Sequence, residues 1–289
     1  MGDFNPAAVR VTAATPKVVL GNPIANINVI RDMVSINEQT DVFVFPELSI
    51  TGYTCADMFR GYLVDEAMEA VSLLAAQLRD VNAVVIVGVP VKCQNMLFNC
   101  AAVLNRGQIV GIVPKSYIPN YNEFYEARWF SAAHKAANIK EVFYAGRKIP
   151  FGTDLIFDNG AGAKIGVEIC EDLWVPIPPS TYAALAGANI LVNLSASNET
   201  IGKKEYRRNL VSVQSAKTIS AYVYSSAGQE ESSTDLVFSG HSLISVNGKV
   251  VAENIYPTEN HTESVSVDIE ALSNDRRRMT TYMPEETQK

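Results

Sequence analysis

Apolar and polar positions along the chain switch between a period of two and a helical period, and the switches mark its elements. Residues 164–169 alternate and are β-branched, so they predict a strand. That strand stops at Cys170, because Glu171-Asp172-Leu173-Trp174 cannot continue it in a buried sheet. Residues 9–15 alternate in the same way. Gly21-Asn22-Pro23 then opens a helix predicted over residues 24–39, with Ile24, Ile27, Ile30 and Val34 on one face. Residues 42–45 form a short continuous apolar run, the mark of a strand buried on both sides, and it ends in Pro46-Glu47. A helix is predicted over 63–80 with Ala67, Val71, Leu74 and Leu78 inward, followed by a buried strand over 83–89. Residues 97–104 and 108–113 flank Asn105-Arg106-Gly107 as a hairpin whose second arm ends at Pro114-Lys115.

From 116 to 152 no period holds. The segment is rich in aromatic and polar residues and reads as an irregular functional loop. Residues 155–157 and 164–169 flank a second turn. Its Gly160-x-Gly162-x-Lys164 has a strand after it rather than the helix a phosphate loop needs, so it reads as turn chemistry. A short helix over 182–187, a buried strand over 190–194, a long helix over 203–219 and a strand over 221–226 follow. Short strands are predicted at 236–238, 241–246 and 250–253, the last two joined by Asn247-Gly248, and a final strand at 263–269. Residues 273–289 read as a polar tail or linker. Alternating β and α elements with several hairpins imply an α/β fold with a mixed sheet.

Composition narrows the class. A chain of 289 residues, 47% hydrophobic and 19% charged, fits one large domain or two small ones, with roughly three quarters of the unfolded surface buried. No apolar run is long enough to span a membrane, and the net charge of −7 argues against a nucleic-acid partner. The N-terminus lacks a basic-then-apolar secretory pattern. Cys55, Cys93, Cys100 and Cys170 form no CxxC pair and no metal-ligand spacing with His134, His241 and His261. The expectation is a reduced, cytoplasmic, metal-free protein, in which the Asn-x-Thr matches at Asn198 and Asn260 are chance.

Three polar residues stand at the C-terminal ends of predicted strands: Glu47, Lys115 and Cys170. Strand ends are where layered α/β sheets build sites. A base, a cation and a nucleophile suffice for acyl transfer. The acids after Cys170 suggest a helical first turn, whose dipole would lower the thiol pKa. Two other readings stay open: Cys170 as a small buried hydrophobe, and Glu47–Lys115 as a salt bridge closing the sheet end.

The same residues carry a resemblance. Phe45-Pro46-Glu47-Leu48 with Gly52-Tyr53, Lys115 followed by Pro119-Asn120-Tyr121, Phe124-Tyr125-Glu126 and Phe130, and Gly166 to Cys170 resemble the Glu-Lys-Cys signature of the nitrilase (carbon–nitrogen hydrolase) superfamily. Within it, Cys170-Glu171-Asp172-Leu173-Trp174-x-Pro176, Asn193-Leu194-Ser195-Ala196-Ser197 with Ile201-Gly202, and the run from Gly228-Gln229 to Ser242 resemble the glutaminase domains of glutamine-dependent NAD⁺ synthetases. The resemblance implies an αββα four-layer sandwich with mixed sheets that pairs into a homo-oligomer. It also implies Glu47 as base, Cys170 as nucleophile forming a thioester with L-glutamine, Lys115 as oxyanion cation and Glu126 as the residue positioning Lys115. Tyr53, Tyr121, Phe124 and Ser197 match positions that line the glutamine pocket, with Trp174 as a wall. Lys203 falls where an arginine contacting the substrate carboxylate is expected; a solvated basic helix start is the other reading.

The resemblance further implies a glutaminase domain over residues 1–272. Residues 273–289 would then lead toward a synthetase domain that uses ATP, Mg²⁺ and deamido-NAD⁺, whereas the glutaminase chemistry needs no cofactor. No Ser-Gly-Gly-x-Asp-Ser phosphate loop occurs here. The expectation is an isolated domain of a longer enzyme. A stand-alone amidase or carbamoylase, or a silent oligomerisation or ammonia-conduit module, are the alternatives.

Overall fold

The computed structural model describes residues 8–282. In chain order the elements are β1 (Ala8–Thr15), α1 (Pro23–Ile36), β2 (Val42–Val44), α2 (Leu63–Gln77), β3 (Val84–Cys93), β4 (Met96–Asn105), β5 (Gln108–Pro114), β6 (Glu141–Tyr144), β7 (Arg147–Pro150), β8 (Ile156–Asp158), β9 (Lys164–Ile169), α3 (Pro179–Leu185), β10 (Ile190–Ser195), α4 (Lys203–Thr218), β11 (Ala221–Ser226), β12 (Ser242–Val246), β13 (Lys249–Asn254), β14 (His261–Asp268) and α5 (Ile269–Arg278). Two six-stranded sheets form, in the orders β14-β1-β2-β3-β4-β5 and β13-β12-β11-β10-β9-β8. The centre of each is parallel and its flanks antiparallel, so both sheets are mixed.

Strand alternation decides the layers. Val42 and Val44 of β2 face a core shared with Ile165, Val167, Ile190 and Val192 of the other sheet. Phe43 and Phe45 face the opposite way, onto Ile27, Ile30, Val71 and Leu74 of α1 and α2. The second sheet repeats this, with Leu191, Tyr222 and Tyr224 packed outward on Ala184 of α3 and Val211 of α4. Both faces of each sheet are therefore covered, which is why the central strands read as continuous apolar runs. The result is helix, sheet, sheet, helix: an αββα sandwich.

Four sequence expectations are corrected. Helix α1 ends at Ile36, and its buried stripe runs Pro23, Asn26, Ile27, Ile30, Met33, Val34. Ile24 lies one residue's rotation off that stripe and is exposed. Residues 236–238 make no ladder strand, only a single bridge from Phe238 to Asn198. Ser233 Oγ takes the Leu236 N–H and Ser232 Oγ the Phe238 N–H, amides a ladder would otherwise use. The irregular loop contains the β6–β7 hairpin, whose four-residue strands bury only alternate residues such as Val142 and Ile149. Finally, α5 runs through the predicted polar tail. Asp268 caps it, Leu272 is buried, and Arg276 donates to the carbonyls of Ala188, Thr218 and Ile219. Residues 283–289 of that tail lie outside the described residues.

Candidate active site

Three strands deliver the three polar residues to one end of the sandwich. After β2, Phe45-Pro46 carries the chain out of the sheet and Glu47 turns back beneath it, its N–H donating to the Ser195 carbonyl of the other sheet at 3.3 Å. This turn presses on β3 at Gly88, where a Cβ would lie 2.1 Å from the Leu48 nitrogen, so no side chain fits there. Lys115 follows β5. Cys170 follows β9 and starts a 3₁₀ turn (Cys170–Leu173) with φ of 43°, the left-handed region that a residue with a Cβ enters only when its surroundings hold it there.

Two side chains hold it. Asn193 on the neighbouring β10 accepts the Cys170 N–H at 3.0 Å. Asp172 accepts the N–H groups of Ile169 (3.0 Å), Ser116 (3.1 Å) and Tyr117 (2.9 Å), and so ties the end of β9 to the residues after Lys115. Burial nonetheless pushes the Asp172 carboxyl up to about 8, with Glu168 adding to the shift. The Cys170 N–H is occupied by Asn193. The N–H groups that follow it belong to a first helical turn, where amides lack intrahelical partners.

The charged centre is dry. Lys115 Nζ lies 2.6 Å from Glu47 Oε1 and 2.7 and 3.0 Å from the two oxygens of Glu126, and Lys115 and Glu47 are fully buried. Burial would pull the Lys115 ammonium down, but Glu126 and Glu47 outweigh it and hold it protonated far above the usual range. Glu47 Oε1 also accepts Asn99 Nδ2 at 2.7 Å, while Glu47 Oε2 is buried without a partner. One ammonium is thus bracketed by two acidic side chains before Cys170 is considered. Burial, then Glu47, push the Cys170 thiol up to about 12, against the pull of Lys115 and Ser195. The expectation of a thiol pKa lowered by a helix dipole is thus corrected: desolvation and a neighbouring carboxylate exceed what one 3₁₀ turn contributes. Cys170 rests as a thiol and must lose its proton as it attacks. Glu47, whose charge raises the thiol, is the neighbouring group that can take that proton.

Cys170 opens into a cavity of about 500 Å³ whose walls include Tyr121, Phe124, Glu171, Trp174, Ser197 and Lys203. Lys203 Nζ donates to Asn198 Oδ1 and sits 5.3 Å from the ring centroids of both Phe124 and Trp174. Burial holds its ammonium below the usual range. Glu171 accepts the Tyr121 hydroxyl at 2.7 Å, and Glu123 accepts Asn198 Nδ2 at 2.6 Å. The cavity thus offers one cation and two carboxylates above a buried nucleophile. Trp174 stacks at a tilt on Tyr206, so it is both wall and packing residue. A smaller cavity of about 190 Å³ shares Glu123 and Phe124 with the larger one and has no cysteine in its walls.

Six of the ten residues singled out from sequence, Cys170 among them, line the larger cavity, and Glu47, Lys115 and Glu126 form the charged cluster beside Cys170. Tyr53 is placed differently. It faces the smaller cavity, and its hydroxyl donates to Glu126 at 2.8 Å. Burial, then Glu126, keep that phenol protonated. Sequence reasoning gave no role to Asn99 or to the fully buried Arg207, nor to Asp172 and Asn193, although both of these stand in the motifs it quoted. Arg207 donates to Ser197 Oγ (3.1 Å), Glu199 (2.6 Å) and His241 Nδ1 (2.9 Å) and so braces the cavity wall. Asn99 and Asn193 carried a usable signal: each is a polar residue inside an otherwise apolar strand. Among the described residues, no group of three or more His, Cys, Asp or Glu is placed to hold a metal ion, and no helix is long and apolar enough to cross a membrane.

Comparison with known proteins places the chain in a family and agrees with the fold. Residues 10–277 match the carbon-nitrogen hydrolase family. The chain is 40% identical over 280 residues to the glutamine-dependent NAD(+) synthetase of Mycobacterium tuberculosis, covering 95% of this chain and 41% of that one. It therefore spans well under half the length of that relative. The crystal structure of a glutamine-dependent NAD(+) synthetase from Cytophaga hutchinsonii superposes with a TM-score of 0.78 at 27% identity, over 90% of this chain and 43% of that one. An amidase of the nitrilase superfamily from Nesterenkonia superposes at 0.72 over 95% and 96% of the two chains; at 15% identity it shows the shared fold alone.

Proposed function

The chain belongs to the carbon–nitrogen hydrolase family, and within that family we propose that it hydrolyses the side-chain amide of L-glutamine to glutamate and ammonia. The observation that carries this reading is the buried ammonium of Lys115, bridged between Glu47 and Glu126 beside a protonated Cys170. Cys170 attacks the amide carbon while Glu47 takes its proton. The S–H bond breaks, the C–S bond forms, and the carbonyl π electrons move to oxygen. The negative charge thereby passes from Glu47 to an oxyanion near Lys115, and the step creates no net charge in the buried site. Each donor on such an oxyanion contributes on the order of 3 kcal/mol. Glu47 then returns the proton to the leaving nitrogen, and ammonia departs from a thioester. Water, deprotonated by the same Glu47, attacks that thioester; the C–S bond breaks to release glutamate, and Glu47 returns its proton to the Cys170 sulfur.

The cavity suits an amino acid carrying both charges. Lys203 takes the α-carboxylate, with Ser197 beside it, while Glu171 and Glu123 favour the α-ammonium; Tyr121, Phe124 and Trp174 cover the methylenes. No cofactor enters this half of the reaction. The full-length relatives name a reaction beyond it, so we assign the ammonia to an ATP- and Mg²⁺-dependent amidation of deamido-NAD⁺ by a synthetase domain. The glutaminase part runs through α5, which Arg276 anchors to the sandwich, and the sandwich pairs into a homo-oligomer. Glutamate release from L-glutamine, compared between the wild type and Cys170→Ala, tests the reading. Release that vanishes with the thiol is expected. Cleavage of other small amides with none of glutamine would replace it with a stand-alone amidase.

A further inference from the structure

Asn99 is fully buried in the middle of β4 and belongs to none of the motifs that point to the site. Its Nδ2 donates to Glu47 Oε1 at 2.7 Å, the same oxygen that takes Lys115 Nζ at 2.6 Å. Its main-chain carbonyl takes the Lys115 N–H at 2.8 Å. One residue thus holds the carboxylate through its side chain and the lysine through its backbone.

Two donors crowd one oxygen of Glu47 and leave the other, Oε2, buried with no partner. Asn99 Oδ1 is also buried without a partner. The amide cannot be turned over to relieve this, because Oδ1 would then face Glu47 Oε1, acceptor against acceptor. A core position that keeps an unsatisfied oxygen gives up stability that an apolar side chain of similar volume would keep. That pattern fits a residue retained for what it does to its neighbour.

We propose that Asn99 is a positioning residue that selects Oε2 of Glu47 as the oxygen receiving the Cys170 proton. Oε1 carries two hydrogen bonds and is the weaker base. Oε2 has its lone pairs free and Glu47 acts on Cys170, so Oε2 is assigned the S–H proton, with the electron pair staying on sulfur for the attack. This assignment rests on the proposed function only for the role of Glu47 as base, and it is tested by a reaction that does not involve glutamine.

The rate of Cys170 alkylation by iodoacetamide, read by mass spectrometry of the Cys170 peptide, is followed against pH in the wild type, Asn99→Leu and Asn99→Asp, with thermal midpoints measured alongside. In Asn99→Leu the rate near neutrality falls by about tenfold or more. Its acid limb moves to higher pH by about one unit, because the anionic base has lost a donor, while the thermal midpoint stays level or rises. Asn99→Asp keeps the volume but sets a second carboxylate against Oε1, and its limb moves further the same way. An unchanged pH profile in both variants overturns the proposal. So does a wild-type-shaped profile with lowered midpoints in both, or failure of both to fold, since Asn99 would then serve packing alone. Glutamate release from L-glutamine in the same samples is the separate readout. Wild type that labels at Cys170 but releases nothing counts against the glutaminase reading, while the labelling profiles still decide the role of Asn99.

Discussion

The Cys170 N–H crosses from the end of β9 to Asn193 Oδ1 on β10 at 3.0 Å, and Asn193 Nδ2 reaches back to the Cys170 carbonyl at 3.4 Å. A single amide thereby brackets both sides of the residue that carries the left-handed bend. Asn193 Nδ2 also donates to the Tyr222 hydroxyl at 3.2 Å, and that hydroxyl donates to the buried Glu168, so the bracket is itself held in place. The nucleophile's position is thus a property of two adjacent parallel strands.

Replacing Asn193 with Ala leaves the Cys170 N–H buried without an acceptor, at a cost of about 1–3 kcal/mol of stability. The elbow then relaxes toward negative φ and withdraws the sulfur from its attack position. Urea unfolding gives the first effect. Glutamine kinetics give the second as a fall in kcat with little change in KM. Asn193→Asp retains the acceptor and falls between Ala and wild type in both measurements.

Lys115→Met removes the cation that bridges two buried acidic side chains and destabilises the fold by about 3–5 kcal/mol near neutral pH. The sign with pH follows from proton counts. Burial already pushes the Glu126 carboxyl up against the pull of Lys115. Without the lysine, the folded protein binds protons that the unfolded chain has released, so stability rises as pH falls. Urea unfolding at pH 8 and pH 5 should show the gap between variant and wild type narrowing in acid. An equal gap at both pH values would mean that lost packing, not unpaired charge, dominates.

Glu231 is fully buried behind Tyr53, accepts the Tyr53 N–H, and has its other oxygen unpartnered. Burial, with Glu47 adding to it, pushes its carboxyl up to about 8. A raised acid binds its proton more tightly in the folded state, so its contribution is full below the unfolded carboxyl range and is lost as pH rises from about 4.5 to about 8. Glu231→Gln removes that slope, and the variant gains on the wild type between pH 5 and pH 9. Parallel thermal-unfolding curves across that range would refute the titration.

The two sheets and their helices were legible because alternation reports burial, and Phe43 and Val44 show why: successive residues of β2 enter different cores. Glu47, Lys115 and Cys170 were legible because a polar residue directly after a buried strand stands out. Other features were not. The thiol shift depends on burial by both sheets, which no local pattern carries. Arg207 reads as one more basic residue on α4, yet its contacts come from residues 197–199 and from His241. Helix α5 has only Ile269 and Leu272 buried and is anchored by Arg276 on main-chain carbonyls, so its apolar pattern is too weak to separate it from a tail.

Lys203 decides whether the cavity recognises an amino acid. Its ammonium lies between Phe124 and Trp174 and is hydrogen-bonded to Asn198, so a substrate carboxylate arriving there would meet a partly desolvated charge. Lys203→Met should raise KM for L-glutamine by about 10- to 100-fold, the range of a hydrogen bond to a charged group, with kcat held within a few-fold. Lys203→Arg keeps the charge and adds a two-pronged donor, so it should recover most of the affinity. The decisive comparison uses 4-aminobutanamide, which is glutamine without its carboxylate. Wild type should discriminate strongly between the two amides, and Lys203→Met should discriminate weakly. Because burial lowers the Lys203 pKa, the wild-type preference for glutamine should also fade at alkaline pH, earlier than an exposed lysine would allow. Equal discrimination in wild type and Lys203→Met would return Lys203 to the role of a solvated helix start and move carboxylate recognition elsewhere in the cavity.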